Sequence, residues 1–368
     1  MQKSSRYIHQ RPEWPAFTWR HEAIAQLLTD VRHRQGKTLG RMEQLGFSLR
    51  AEATLETLTL DVLKSSEIEG EILNPEQVRS SIARHLGMDI AGLIPADRHV
   101  EGVVEMMIDA TQHYDQPLTD DRLFGWHSAL FPTGRSGIHK ITVGTWRTGP
   151  MYVVSGAMGK ERIHFEAPEA AQLNEEMNKF LTWFNKEEMI DSVIKAAIAH
   201  LWFVTIHPFD DGNGRTARAI ADLQLSRADG SSQRFYSMSA QIQKERNAYY
   251  SILELTQNGS LDITAWLHWF LSCLDRAFAS IEETLATVMQ KARFWEQYSS
   301  TRLNERQKIL LNKLLDGFDG KLTSSKWAKI AKCSQDTASR DIQDLLEKDV
   351  LVKEPAGGRS TNYILKSL

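Results

Sequence analysis

The sequence predicts a mainly α-helical protein with one small β-hairpin and a C-terminal module of three helices and two short strands. Apolar residues recur at helical spacing over residues 192–206, and residues 216–227 are again good helix formers. Glycine, proline and β-forming residues within 142–168 indicate a hairpin. Residues 303–368 alternate amphipathic segments with turns and end in two short apolar runs.

The same reasoning places the other elements in order. A helix is predicted from about Arg20, and residues 53–69 form an amphipathic helix that Gly70 is placed to end. In the tail, helices are predicted over 305–315, 325–331 and 335–348, and strands over 350–352 and 363–365.

The most informative stretch is residues 207–218, HPFDDGNGRTAR, which lies between two predicted helices. Gly212 and Gly214 let the backbone turn sharply and approach a ligand closely. The helix that follows offers unpaired N-terminal amides to an anion. Because Arg215 and Arg218 are three residues apart, they share a helix face and can reach different phosphates of one ligand.

The same stretch holds a base and an acid. His207 is suited to act as a general base near neutral pH, and Asp211 is placed to hold Mg²⁺ at the mouth of the anion site. Asp-Gly and Asn-Gly are also common turn signals. A merely structural connection, however, would not need two arginines, an acid and a base around glycines, so we interpret the stretch as a polyphosphate site.

Residues 207–218 resemble the signature of the Fic family of adenylyltransferases, HxFx(D/E)GNGRxxR, at every position. The resemblance implies a helical Fic body that transfers AMP from ATP to a Ser, Thr or Tyr hydroxyl of a protein. It implies that His207 is the catalytic base, that Asp211 binds Mg²⁺ and that Phe209 anchors the loop. The ATP- and phosphate-binding residues that it implies are Gly212, Asn213, Gly214, Arg215, Thr216, Ala217 and Arg218.

A second resemblance lies upstream, in Ser65-Ser66-Glu67-Ile68-Glu69-Gly70. It is similar to the (S/T)xxxE(G/N) inhibitory motif of Fic proteins, which here involves Ser65, Glu69 and Gly70. The resemblance implies that Glu69 pairs with Arg218 and denies that arginine to the γ-phosphate. Taken alone, the segment is equally a solvated acidic helix end.

Two weaker segments resemble other parts of the family. Residues 142–168 are similar to the flap that aligns a target by strand addition, which places Arg147, Val153, Val154 and Ser155 near nucleotide or target. Residues 245–258 are similar to the helix that closes the adenine pocket, and residues 263–274 and 277–298 look like the closing helices of the Fic body or an interface with a second subunit. Tyr249, Tyr250 and Asn258 are the predicted pocket residues, although the tyrosines are equally suited to the core.

The tail resembles a winged helix-turn-helix module. Its twelve Lys and Arg against nine Asp and Glu give +3, which leaves −6 of the chain's net −3 for the rest. Thr337, Ser339 and Arg340 fall on the predicted recognition helix, and Lys353 and Arg359 on the wing. DNA contact and protein docking both stay open, because Asp336, Asp341 and Asp344 on the same helix would repel phosphates.

Three domains are predicted. An N-terminal extension over 1–50 packs on the core through Trp14, Phe17 and Trp19. A Fic catalytic domain over 51–302, with the inhibitory helix 53–70, is followed by the winged helix-turn-helix domain over 303–368. Cys273 and Cys333 indicate neither a disulfide framework nor a zinc site and suit a reducing cytoplasm. We see no secretory signal and no bilayer-spanning stretch. A homodimer is left open.

The leading hypothesis is therefore an autoinhibited protein adenylyltransferase that uses ATP and Mg²⁺ on a protein target, which includes the protein itself. The alternatives are a nucleotide-sensing, DNA-binding transcriptional regulator, and a Fic enzyme that removes AMP or uses another nucleotide. A base beside a metal-binding acid favours catalysis, since sensing would not require a base.

Overall fold

The computed structural model describes residues 7–43, 46–90, 92–155, 162–187, 189–318, 320–354 and 361–366. It is mostly helical with small antiparallel hairpins, so the predicted fold class is confirmed at that level. The chain divides into two compact units, one of Met1–Leu86 with Pro95–Ile281 and one of Gly87–Ile94 with Glu282–Leu368. The predicted domain limits after residues 50 and 302 stay predictions.

The first unit is a helical body built around one fully buried helix. Its helices are α1 (His21–Glu43), α2 (Phe47–Ile68), α3 (Pro75–His85), α4 (Arg98–Gln112), α5 (Asp120–Leu130), α6 (Leu173–Asn185), α7 (Ser192–Ile206), α8 (Asn213–Asp229), α9 (Met238–Lys244), α10 (Arg246–Gln257) and α11 (Thr264–Ala279). Every residue of α7 after Ser192 is buried. Helix α7 has the predicted bounds, whereas α8 begins three residues earlier than predicted, because Gly212 in the left-handed region (φ 78°) is its N-cap.

Two hairpins lie between α5 and α6. Strands β1 (Arg135–Ser136) and β2 (His139–Lys140) form the first, and β3 (Tyr152–Ser155) and β4 (Arg162–Glu166) form the second. The second falls within the predicted hairpin region, whereas the first was not predicted, since two residues per strand leave no alternation to detect.

The N-terminal segment packs its aromatic side chains on α7. The rings of Trp14 and Phe17 lie 6.1 and 5.8 Å from that of Trp202, both in T-shaped geometry. The segment is also tied to the loop before α11 by a bond from the Thr18 N–H to the Leu261 carbonyl (2.8 Å). Aromatic burial of this kind stabilises the body beyond simple area.

A buried charged cluster joins the end of α8 to the loop that follows it. Arg234 Nη2 donates to Asp222 Oδ1 (2.6 Å), and Arg234 Nη1 lies 3.5 Å from Asp229 Oδ2. The side chains of these three residues are at most 1% exposed. Burial, followed by the charge of Asp61, raises the pKa of Asp222 well above its ordinary value. The Arg234 guanidinium therefore offsets carboxyl groups that water cannot reach.

The second unit contains the C-terminal module. Its elements are α12 (Ile281–Gln297), most of which lies in this unit, α13 (Glu305–Leu315), α14 (Ser324–Ile330), α15 (Gln335–Glu347), β5 (Leu351–Lys353) and the antiparallel β6 (Tyr363–Leu365). Trp327, Ile342 and Leu345 lie in its apolar core. The order of elements agrees with the predicted order, while the assignment as a winged helix-turn-helix stays a prediction. Residues 357–359, including Arg359 of the predicted wing, lie outside the described residues.

Across the part of the chain that the structure describes, no helix is both long and apolar enough to cross a bilayer.

Candidate functional site

His207 ends helix α7 in a left-handed backbone conformation (φ 52°, ψ 58°). Its Nδ1 lies 3.0 Å from the Val204 carbonyl oxygen. Because a carbonyl can only accept, Nδ1 carries the hydrogen, and Nε2 is left as the proton acceptor. Burial lowers the pKa of His207, and the nearby Arg147 guanidinium acts in the same direction. The neutral imidazole that a general base requires is thus favoured.

The loop between α7 and α8 is held in shape by its own residues. Asn213 Nδ2 donates to the Phe209 carbonyl (2.8 Å), and its Oδ1 accepts from the Phe209 N–H (3.0 Å). The Phe209 ring is fully buried and stacks on His127 with centroids 4.1 Å apart. Burial lowers the pKa of His127 to about 4, so that ring is neutral. These contacts tie the loop to its own backbone and to His127 of α5.

Asp211 lies at the start of the turn into α8. Its Oδ1 accepts the Gly212 N–H at 2.6 Å, and its Oδ2 accepts the hydroxyl of Ser136 from β1. The unpredicted first hairpin therefore orients this carboxylate. Since each carboxylate oxygen can accept more than one contact, the group keeps capacity for a cation.

The first turns of α8 present the two motif arginines. The side chains of Arg215 and Arg218 are only 2% and 1% exposed. Arg218 donates from Nη2 to Glu69 Oε1 (2.8 Å) and to the Ser65 carbonyl (2.8 Å), and from Nε to the Ser65 hydroxyl (2.9 Å). Ser65 and Glu69 thus both contact Arg218, which lies 153 and 149 residues after them in the sequence. Gly214 makes room for it, because a Cβ there would overlap the Glu69 carboxylate.

A second glutamate also reaches α8. Glu71 Oε2 accepts from Arg215 Nη1 at 2.6 Å and lies 3.4 Å from His99 Nε2 of α4. The contact with Glu71 raises the pKa of His99. Burial alone would raise the pKa of Glu71, but His99 and the Arg215 charge outweigh burial and lower it. Both glutamates that follow α2 are therefore engaged by motif arginines.

Helix α10 packs beside the end of α2. The Tyr250 hydroxyl lies 3.3 Å from the Ile68 carbonyl, which also accepts from Arg246 Nε at 2.8 Å. Tyr249 is 1% exposed, and its hydroxyl lies 2.9 Å from His200 Nε2. Tyr249 is thus a core residue that holds α10 against α7, and the adenine-pocket role predicted for both tyrosines stays a prediction.

The second hairpin is tied to α10 by polar side chains. Asn258 Nδ2 donates to the His164 carbonyl (3.1 Å). His164 Nδ1 lies 2.8 Å from Glu254 Oε2, and His164 Nε2 lies 2.6 Å from the Ser155 hydroxyl. Val153 packs against the small apolar cluster of Tyr7, Phe165 and Ala167, whereas Val154 is 49% exposed. Of the predicted flap and pocket residues, Asn258 and Ser155 are thus joined through His164.

Arg147 bonds to backbone carbonyls beside the His207 loop, and the place near nucleotide or target that sequence reasoning gave it stays a prediction. Its Nε donates to the His207 carbonyl (2.8 Å), Nη1 to Gly149 (2.7 Å) and Nη2 to Pro168 (2.5 Å). Through these three bonds it clamps the segment around the second hairpin to the His207 loop. Its place before a Gly-Pro pair gave no signal of this role.

Sequence reasoning also missed Glu71, His99, His127 and Ser136. Two of these were detectable in part, because an acid two residues after a predicted inhibitory glutamate, and a hydroxyl in a Gly-rich turn, are natural partners for a cationic helix start. His99 and His127 carry no local signal, since their contacts depend on how α4 and α5 pack.

Comparison with known proteins identifies the central part of this body. Residues 117–225, which run from α5 through the hairpins to α8, match the Fic/DOC family. This part of the chain is a Fic/DOC domain. Residues 7–88, which include Ser65, Glu69 and Glu71, match a separate domain described only as a domain of unknown function, DUF4172.

Named relatives and solved structures agree with this assignment. The chain is similar to "Protein adenylyltransferase Fic" of Aedes aegypti, at 26% identity over 261 residues, covering 67% of this chain and 48% of that protein. It is similar to the Drosophila yakuba protein of the same name at 35% identity over 102 residues, covering 27% of this chain and 19% of that one. The chain therefore spans less than half the length of these curated relatives.

Two solved structures share the fold. A Fic family protein from Desulfovibrio desulfuricans G20 superposes with a TM-score of 0.56 and 20% identity over 96% of this chain and 98% of that one. A Fic domain containing signaling protein from Bacteroides thetaiotaomicron VPI-5482 superposes with a TM-score of 0.51 and 20% identity, over 72% and 97%. At this identity the likeness establishes the fold alone.

Proposed function

We propose that this protein transfers AMP from ATP to a Ser, Thr or Tyr hydroxyl of a protein and releases pyrophosphate. One observation carries the proposal: the contact of His207 Nδ1 with the Val204 carbonyl (3.0 Å) leaves Nε2 as a proton acceptor on the residue that begins the loop into α8. The curated relatives named protein adenylyltransferases support the same reaction class.

In the proposed reaction His207 acts on the acceptor hydroxyl. The hydroxyl proton passes to Nε2 while its oxygen bonds to the α-phosphorus of ATP. The bond between that phosphorus and the oxygen bridging to the β-phosphate breaks, and pyrophosphate leaves. The amides at the start of α8 and the guanidinium groups of Arg215 and Arg218 would hold the phosphates, because their positive charge is arranged before the ligand arrives.

Mg²⁺ fits this site through Asp211. The carboxylate is a hard oxygen ligand at the turn into α8, and Mg²⁺ is commonly bound by one or two carboxylates together with substrate phosphates. Its present contacts, the Gly212 N–H and the Ser136 hydroxyl, orient it without using all of its lone pairs. When bound, the cation would offset phosphate charge as pyrophosphate departs.

We further propose that the protein is held inactive by Glu69. Its carboxylate occupies Arg218 Nη2 at 2.8 Å, so that nitrogen is not free for the γ-phosphate. The Ser65 carbonyl accepts from the same Nη2, and the Ser65 hydroxyl accepts from Nε of that guanidinium. ATP would then bind without its terminal phosphate in place, which leaves the α-phosphorus misaligned for attack.

The test is labelling from ATP that carries its radiolabel on the α-phosphate, with Mg²⁺ and a cell lysate. We expect Glu69→Gly to raise protein labelling at least about tenfold, and His207→Ala in the same background to abolish it. Glu67→Gln is the matched control, because Glu67 contacts Lys64 and Gln243 instead of the motif arginines. Labelling that Glu69→Gly leaves unchanged would contradict the inhibition.

Mass spectrometry of the labelled products separates the alternative reactions. An AMP increment on a Ser, Thr or Tyr of a target or of the protein itself supports the proposal. A different increment would mean another nucleotide or transferred group. Loss of AMP from a pre-modified protein, with no gain from ATP, would mean that the site removes AMP.

One observation favours DNA contact by the second unit as an additional function. Asp341 of α15 is 4% exposed and accepts from Arg306 (2.8 Å), so it points into the module, whereas Ser339 and Arg340 are exposed. Of the three aspartates expected to repel DNA phosphates, Asp341 therefore does not lie on the outer face of α15. Fluorescence anisotropy of labelled duplex DNA at physiological salt should show binding that Arg340→Ala weakens. Equal, salt-insensitive signals for both proteins would exclude this function.

A further inference from the structure

The end of helix α2 places two glutamates toward α8 by a specific turn. Gly70 takes a left-handed conformation (φ 86°), its N–H bonds to the Glu67 carbonyl (3.0 Å), and the Glu71 N–H bonds to the Ser66 carbonyl (3.0 Å). This pair of bonds is a Schellman ending with glycine at the position that requires positive φ. The turn fixes Glu69 and Glu71 relative to each other.

The two carboxylates match the two motif arginines. Glu69 Oε1 lies 2.8 Å from Arg218 Nη2, and Glu71 Oε2 lies 2.6 Å from Arg215 Nη1. The arginines are three residues apart on one face of α8. One short loop therefore covers the same pair of cations that the proposed function assigns to adjoining phosphates.

The Arg215 guanidinium is buried, so an anionic partner contributes strongly to its stability. Its side chain is 2% exposed, its guanidinium lies over the Phe131 ring at 5.1 Å, and its buried Nε has no hydrogen-bond partner among the described residues. A buried guanidinium without a counter-charge is costly. Glu71 supplies that charge while no phosphate is bound.

We propose that Glu71 is a second inhibitory carboxylate, and that Glu69 and Glu71 together stand in for two adjoining phosphates of the nucleotide. This inference rests on the proposed phosphate-binding role of the arginines. His99, whose Nε2 lies 3.4 Å from Glu71 Oε2, is the partner that Glu71 retains when a phosphate takes Arg215. Displacement therefore leaves the carboxylate with a polar partner.

The proposal is tested by nucleotide affinity, which does not depend on transfer. Isothermal titration is done in the His207→Ala background, to prevent turnover, with ATP, inorganic triphosphate and AMP as separate probes. We expect Glu71→Gln to tighten ATP and triphosphate binding by about tenfold and to leave AMP unchanged, because AMP lacks the phosphates for which Glu71 substitutes. Glu67→Gln is the control and should change none of the three.

Labelling from ATP with active His207 gives the second readout. The double variant Glu69→Gly with Glu71→Gln should label faster than Glu69→Gly alone. Glu71→Asp, which shortens the side chain but keeps its charge, should act in the same direction and covers the case in which Glu71→Gln fails to fold.

The outcomes separate this proposal from the proposed function. Unchanged or weaker ATP binding in Glu71→Gln, or slower labelling of the double variant, overturns it and makes Glu71 a residue that orients Arg215. Tighter ATP binding with no labelling by any variant supports Glu71 as a phosphate competitor and refutes the transferase function.

Discussion

The neighbouring serines of α2 allow a sharp test of how the Arg218 contact is held. Ser65 and Ser66 are 1% and 0% exposed, so they differ little in burial. The Ser65 hydroxyl accepts from Arg218 Nε at 2.9 Å, whereas the Ser66 hydroxyl has no hydrogen-bond partner among the described residues. Replacing each by alanine removes the same atom from two adjacent sites, of which only one bonds to a charge.

The expected magnitude follows from this difference. A hydrogen bond to a charged group contributes about 1.5–3 kcal/mol, and its loss leaves a buried donor of Arg218 unpaired. We therefore expect Ser65→Ala to lower the free energy of unfolding of the first unit by that amount. Ser66→Ala removes an unbonded hydroxyl, so we expect a change within about 0.5 kcal/mol.

Urea denaturation of the full chain, followed by tryptophan fluorescence, measures both variants under one condition. The reasoning is refuted if the two substitutions cost the same, or if Ser66→Ala costs more. A matching loss for Ser65→Ala in a Glu69→Gly background would show that the serine holds Arg218 independently of the glutamate.

Two further predictions concern a buried charge and a proton. Arg234→Met should lower the free energy of unfolding by about 3–5 kcal/mol, because Asp222 and Asp229 lose their buried partner. The control is Arg162→Met, whose side chain is 73% exposed, and in the same denaturation assay it should lower the free energy of unfolding by less than about 1 kcal/mol. Equal losses of unfolding free energy in the two variants would contradict the role of burial. Because burial lowers the pKa of His207 below 6.5 and the base must be neutral, labelling by the Glu69→Gly protein should persist below pH 6.5 and fall only as pH passes through the lowered value. An acid limb at or above pH 6.5 would contradict this.

Most of the fold could be predicted because its helices carry local periodicity. Helix α7 has the predicted bounds since every turn of it is apolar, and α13 likewise matches residues 305–315. The start of α8 was misplaced by three residues because it depends on one backbone angle at Gly212, which no periodicity reports.

The site was predictable where chemistry is contiguous in sequence. The residue types around His207 are enough to predict a general base beside an anion-binding helix N-terminus. Partners supplied by other helices could not be predicted: Glu71 reaches Arg215 through the turn at Gly70, and Tyr249 is buried against His200 of α7 and Trp269 of α11.

The reciprocal bonds between Asn213 and the Phe209 backbone have a thermodynamic consequence. A loop that its own hydrogen bonds hold in one conformation loses little conformational freedom when a nucleotide binds, so the entropic cost of binding is small. Selectivity among phosphate-bearing molecules would then arise from the enthalpy of exchanging carboxylates for phosphates. If so, the temperature dependence of nucleotide affinity, more than the affinity itself, measures how strongly the two glutamates hold Arg215 and Arg218.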